Sequence, residues 1–127
     1  MKRTEIRKLD KLWSEKIKII WGYKCARCGR TEYLNSHHII GKSNFNTRWD
    51  LNNGICLCSG CHMWVHYQGL LGTRFIEGVI KAETLSYLEN LSGQDLGKRS
   101  FEDVLNYFKI TKLEVRIMIK TFRRKKR

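Results

Sequence analysis

From Arg3 to Trp21 the apolar residues Ile6, Leu9, Trp13, Ile17 and Ile20 recur every three or four positions, with lysines between them. That is the period of an amphipathic helix, and Gly22 is placed to end it. The pattern then changes to short apolar runs. Residues 33–40 contain a short strand, 55–57 read as a second, and Gly41 to Asp50 as a polar loop. A helix is predicted to start near Ser59 and run through His66. From Thr73 to Leu91 the residues Phe75, Ile76, Val79, Ile80, Tyr87, Leu88 and Leu91 again follow a helical pattern, and residues 92–97 form a break. Ser100-Phe-Glu-Asp103 has the spacing of a capping box and opens a helix to about Phe108. Leu113 to Ile119 alternates like a strand, although Thr111 to Glu114 could cap a helix; extended structure is the expectation there. The pattern as a whole is α+β.

A chain of 127 residues with 42% hydrophobic content has room for one domain, or a compact domain with appended helices. The natural division places a core in residues 1–67 and a helical extension with a basic tail in 68–127. No run approaches the ~20 apolar residues that span a bilayer, so no membrane partner is expected. Met1-Lys2-Arg3 is followed by no apolar segment and small-residue cleavage site, so a cytoplasmic location is expected.

Charge sharpens the picture. The formal net charge is +13, and it is unevenly placed. Residues 1–30 carry ten Lys and Arg against three acids, residues 31–119 are balanced, and the last eight add six positive charges and no acid. Positive ends on a neutral middle suit a polyanion, because neutralised phosphates release counterions. The plainer reading is a solvated helix face and tail. Lys8, Lys11, Lys16 and Lys18 on the first helix are placed to track a nucleic-acid backbone.

The central segment carries the chemistry. Cys25-Ala-Arg-Cys28 and Cys58-Ser-Gly-Cys61 are two Cys-x-x-Cys pairs separated by twenty-nine residues. Each pair has the bite of a tetrahedral zinc site, and four thiolates leave no open position, so the site is structural. In a region poor in apolar residues, that tie can decide whether the chain folds. Cys56, the fifth cysteine, reads as a small buried apolar side chain. All four histidines lie in the same segment: His37-His38, then His62 and His66, which share a helix face and can hold one ion together. A histidine pair at that spacing is by itself more often an ordinary surface feature. Trp49 and Trp64 read as core residues rather than base-stacking groups. Lys42 and Arg48, in the loop before Asn53, are candidate phosphate clamps or solvated loop charges.

The ordered set Cys25-x-x-Cys28, His37-His38-Ile-Ile, Asn53-Gly-Ile-x-Leu-Cys58-x-x-Cys61-His62 and x-x-x-His66 resembles the HNH endonucleases, nearest to small phage-type and homing-type members with a four-cysteine zinc. The likeness covers roughly residues 5–67. It implies a ββα-metal core (a His-Me finger, treble-clef-like) stapled by zinc, flanked by N-terminal and C-terminal helices. It assigns His38 as general base, and His37, His62 and His66 as ligands of a catalytic divalent ion. Asn53 either orients the base across the hairpin or lies beside the metal. The substrate implied is DNA, cut to leave 5′-phosphate and 3′-hydroxyl ends by nicking or double-strand cleavage, in the service of a phage or mobile element in the host cytoplasm. Three imidazoles favour Mn, Ni, Co or Zn, whereas Mg prefers oxygen ligands. Successive strand residues point to opposite faces, so His37 and His38 need a strand end or a distortion to share a cleft. The rival readings are a non-catalytic zinc module that binds nucleic acid, and an accessory factor of a phage packaging or recombination machine that docks through residues 67–127.

Overall fold

The structure, a computed structural model, describes residues 1–109; the Leu113 to Ile119 segment and the basic tail from Lys120 lie outside the described residues. Helix α1 (Arg3–Ile20) buries Leu9, Trp13 and Ile17, the centre of the apolar stripe. Gly22 at φ +70° turns the chain out of the helix. Strand β1 (Leu34–His38) pairs antiparallel with β2 (Gly54–Cys58), in a register from Leu34 opposite Cys58 to His38 opposite Gly54. The first strand lies within the 33–40 stretch expected to contain it. Tyr33 sits at φ +56°, incompatible with a strand, and beyond His38 the polar groups of Ile40 bond to the Asn53 side chain instead of a ladder. Helix α2 (Ser59–Tyr67) leaves β2 without a linker. The order strand, strand, helix and the flanking helices make the α+β architecture that the residue pattern predicts.

The single helical pattern over Thr73 to Leu91 is corrected. It is two helices, α3 (Leu70–Val79) and α4 (Ala82–Ser92), separated by Ile80 and Lys81 in extended conformation. Gly78, the penultimate residue of α3, weakens the helix there. The rest of the reason is tertiary: Ile80 is drawn into the core formed by Ile55, Leu57 and Val65. Residues 101–109 are helical, and Ser100 and Asp103 exchange backbone-to-side-chain bonds of 3.1 Å as the capping spacing predicts.

Two apolar clusters meet at β2, all five of whose residues are buried. One joins Ile55 and Leu57 to Cys25, Cys58, Cys61, Val65 and Ile80; the other joins the α1 stripe to Trp49, Val104 and Phe108. Each large side chain buried this way stabilises the fold by roughly 1.5–3 kcal/mol. Gly54 makes the crossing possible. A Cβ there would lie 2.5 Å from Ile17 Cδ1 and 2.9 Å from Trp13 Cζ2, so any other residue would push α1 off the hairpin. Gly72 does the same between α2 and α3, where a Cβ would collide with the Val65 carbonyl.

The loop between the strands is held from both sides. Trp13 donates its indole N–H to the Asp50 carbonyl at 2.9 Å, and Tyr87 donates to the Asp50 carboxylate at 2.6 Å. Asn44 and Asn46 donate to the carbonyls of Ser92, Leu91 and Gln94, and Arg99 reaches the Phe45 carbonyl at 2.7 Å. The segment after α4 thus braces this loop. Among the described residues, no helix is long and apolar enough to cross a membrane.

Candidate active site

Cys25, Cys28, Cys58 and Cys61 bring their sulfurs within 4.8 Å of one another. The Cys28 and Cys58 sulfurs are 3.7 Å apart, close to the edge of about 3.8 Å that a tetrahedron with Zn–S arms of about 2.3 Å requires. In each pair the first sulfur accepts the backbone N–H of the second cysteine at 3.5 Å. Burial raises the Cys25 thiol, but backbone groups at Cys58, Cys28 and Arg27 outweigh it and hold that thiol down at about 6. Arg27 adds a donor at 3.5 Å from the Cys61 sulfur while its guanidinium lies 3.7 Å above the Trp64 ring. The donor set and spacing fit a structural zinc. Cys56 is fully buried and outside the cluster, its thiol pushed up to about 11 by burial and the neighbouring Cys25.

A second cluster opens on the other side. His37 from β1 and His62 and His66 from α2 also place one ring nitrogen each within 4.8 Å of the others. The Nε2 atoms of His62 and His66 are 3.1 Å apart, and the His37 ring meets both edge-on at centroid distances of 5.1 Å. Burial, then repulsion from His62 and His66, lowers His37 to about 4; burial and His66 lower His62. Neutral imidazoles keep their lone pairs, so this is a three-nitrogen donor set suited to a transition-metal ion. A carboxylate is not among its members.

His38 is not in that cluster. It closes β1, and its ring turns to the opposite side, stacked flat on Trp13 at 3.8 Å and 8°. Both histidines nevertheless line one cleft, which they share with His62, His66, Lys42 and Asp10. The strand alternation holds, and the strand end resolves it. The His38 Nε2 lies 3.0 Å from the Arg48 carbonyl. Since a carbonyl only accepts, Nε2 carries the proton and Nδ1 keeps the lone pair. Burial is the largest influence and depresses His38, against the carbonyl and Asp10, which favour its charged form.

Asn53 is fully buried and bonds to neither a histidine ring nor the triad. Its amide oxygen accepts the Ile40 N–H at 2.7 Å, and its amide nitrogen donates to the carbonyls of Ile40 and Thr47 at 3.0 and 2.9 Å. It therefore closes the loop that carries the Arg48 carbonyl. Its bonds cross the hairpin as one of the two readings of the motif expects, but they reach His38 only indirectly, through the loop backbone.

The basic residues divide. Lys42 is exposed on the rim of the cleft. Arg48 has another occupation: its Nε and Nη2 form a forked pair with Asp10 at 3.0 and 2.7 Å, and its Nη1 donates to the Lys42 carbonyl. A guanidinium so engaged is a strut more than an open phosphate clamp. Lys8 and Lys16 lie over the rings of Phe101 and Phe108, Lys18 pairs with Glu15 at 3.6 Å, and Lys11 is exposed. Trp49 is buried and donates to Asp10 at 2.9 Å, and Trp64 packs edge-on against Phe75. Asp10 and Trp13 were not among the residues singled out by motif. Both sit on the inner face of α1, where periodicity marks only Trp13, and as core.

The model of the HNH endonuclease family matches residues 25–68, a span that contains all five cysteines, all four histidines and Asn53. No curated protein and no solved structure matches the chain. The match, the strand–strand–helix order and the four-cysteine cluster fall in the same stretch of chain, and residues 25–68 form an HNH endonuclease domain with a four-cysteine cluster built into its scaffold.

Proposed function

We propose that the chain is a metal-dependent DNA endonuclease in which His38 is the general base and His37, His62 and His66 hold the catalytic divalent ion. One observation carries this reading: three imidazoles converge within ligand distance of one another beside a fourth whose Nε2 is anchored on the Arg48 carbonyl. A non-catalytic binder needs the thiolates and lysines but has no use for the other cluster. A divalent ion on the triad would supply Lewis-acid stabilisation to the scissile phosphate and the departing 3′-oxygen.

The chain's own residues account for the rest. Lys42, on the cleft rim, fixes a backbone phosphate. His38 Nδ1 takes a proton from the attacking water while Nε2–H stays on the Arg48 carbonyl, so the imidazolium formed is already oriented. Attack in line with the 3′-oxygen forms one P–O bond as the P–O3′ bond breaks, leaving a 5′-phosphate and a 3′-hydroxyl. Asn53 keeps the loop closed throughout. Lys11 and Lys18 extend the contact to flanking phosphates. Zinc on the four thiolates is structural, and residues 1–67 and 68–127 serve as nuclease core and brace. Nicking or double-strand cutting for a phage or mobile element is the finer reading, supported by the likeness of the motif set alone.

The test is plasmid cleavage with Mn, Ni, Co, Zn and Mg in turn. Cleavage that is stopped by EDTA, is strongest with transition ions and is absent in His38→Ala supports the proposal. Equal cleavage by His38→Ala that holds both metals would refute it.

A further inference from the structure

The loop carbonyl that holds His38 does not position itself. Arg48 contributes that carbonyl, and its side chain is gripped by Asp10 through a two-pronged pair at 3.0 and 2.7 Å. The same carboxylate accepts the Trp49 indole N–H at 2.9 Å. Asp10 thus takes three donors from two consecutive loop residues, the first of which bears the His38 anchor. Trp13, one turn further along α1 and on the same face, does two things. Its ring lies parallel to His38 at 3.8 Å, and its indole N–H holds the Asp50 carbonyl at 2.9 Å. The His38 ring is therefore fixed in plane by Trp13 and in tautomer by a carbonyl that Asp10 holds through Arg48. Neither residue lies in the segment matched by the family model, 25–68.

We propose that Asp10 and Trp13 are positioning residues for the general base, supplied by the N-terminal helix from outside the HNH domain, and that they set the turnover of this enzyme without holding metal or substrate. The proposal rests on His38 being the base. A Ser or Glu at that position of the mechanism would need no such stack; an imidazole has two nitrogens and a freely turning plane, and only one arrangement of them leaves Nδ1 basic and facing the cleft. The forked Asp–Arg pair gives direction as well as attraction, which is what a tautomer-setting carbonyl requires.

The test uses the full chain with both metals in place, nicking a plasmid under Mn. Asp10→Asn keeps the side chain's shape and removes its charge. Trp13→Leu keeps an apolar side chain and removes the stack. Each is expected to lower kcat by about 10- to 100-fold, a large part of the roughly 10²- to 10⁴-fold that a placed general base contributes, with KM and metal content unchanged. Trp13→Phe, which retains a ring against the imidazole, is expected to recover most of the loss.

A second measurement needs no variant. Nitrogen-15 spectra of the parent should show His38 protonated at Nε2 alone, and those of Asp10→Asn a mixture of tautomers. Parent-like kcat in both Asp10→Asn and Trp13→Leu, or a parent His38 protonated at Nδ1, overturns the proposal. If His38→Ala is inactive in the same assay, the nuclease reading survives that result; if it cleaves like the parent, the general-base assignment falls and takes this inference with it. Should Trp13→Leu fail to fold, Asp10→Asn and the parent spectrum decide.

Discussion

Cys61 and His62 are neighbours on α2, yet they serve two clusters of opposite character. The thiolate cluster draws on the knuckle after α1 and on the β2–α2 junction, three of its four members are buried, and the set is closed. The imidazole cluster has three members that run from buried His37 to exposed His66, with one side open to the cleft. Charge separates them further. A divalent ion among four thiolates carries a net negative charge, which repels phosphate and is partly offset by Arg27 at 3.5 Å. The same ion among three neutral imidazoles keeps its full positive charge to spend on a bound anion. On the function proposed above, one site holds the chain together and the other acts on a polyanion, and a single helix turn suffices to divide the two tasks.

The largest expected effect lies on the closed side. Cys58→Ser is expected to abolish cooperative folding, since structural zinc contributes on the order of 10 kcal/mol to domains of this kind and Cys58 also caps α2. Circular dichroism and zinc content should fall together. A variant that melts like the parent would show that the core of Ile55, Leu57 and Val65 folds unaided. His62→Ala is the opposite case. Cleavage should drop by at least about 10²-fold with one metal equivalent lost, while the melting temperature stays within about 2 °C, because His62 is only partly buried. A large loss of stability in His62→Ala would erase the contrast.

How much of this was legible beforehand differs between the clusters and the frame around them. Ligands close in sequence were readable because spacing fixes their direction: Cys-x-x-Cys makes a turn, and His62 and His66 share a helix face. The α1 stripe and the ββα order followed from periodicity. What the sequence does not display is where a loop's side chains go. Arg48 reads as a candidate phosphate clamp or a solvated loop charge because it is basic and lies before Asn53, but its partner, Asp10, is thirty-eight residues away. Asn53 reads as a base-orienting or metal-side residue, and its bonds to the Ile40 and Thr47 backbone, which place it at the loop beside the His38 anchor, are visible only in the fold. The break at Ile80 is hidden for a related reason: Gly78 alone does not end a helix, and the core contact of Ile80 fixes where the chain turns extended. Spacing reveals geometry within one element, and only folding reveals it between elements.

A smaller effect probes the shield around the thiolates. Arg27 is exposed, donates to the Cys61 sulfur and stacks on Trp64. Arg27→Ala is expected to lower stability by about 1 kcal/mol, a surface cation–π contact plus one charge-assisted hydrogen bond partly screened by water. It should also speed zinc loss to a chelator, while nicking by the fully loaded protein is unchanged. Arg27→Lys keeps the charge but not the planar stack, and is expected to fall between the two. Unaltered zinc release in Arg27→Ala would mean that the four sulfurs need no neutralising partner.

The smallest effect concerns acid, and it sharpens the same contrast from the far side of the cleft. Burial pushes the Asp10 carboxyl up, but hydrogen bonds from Arg48 and Trp49 and the Arg48 charge outweigh it, so its pKa lies below the usual carboxylate value. A carboxyl whose folded pKa is depressed stabilises the fold above its unfolded pKa of about 3.9, and the contribution disappears as pH falls through the lower, folded value. The parent should therefore be more stable than Asp10→Asn from pH 5 to 7, by about 1 kcal/mol or less because the Asp10 side chain is partly open to solvent. The gap should narrow below about pH 4. Urea midpoints for both proteins at pH 3, 5 and 7 measure it. A gap that persists unchanged at pH 3 would mean that Asp10 acts through its shape and neutral hydrogen bonds, and that the charge of the Asp10–Arg48 pair does not hold the loop.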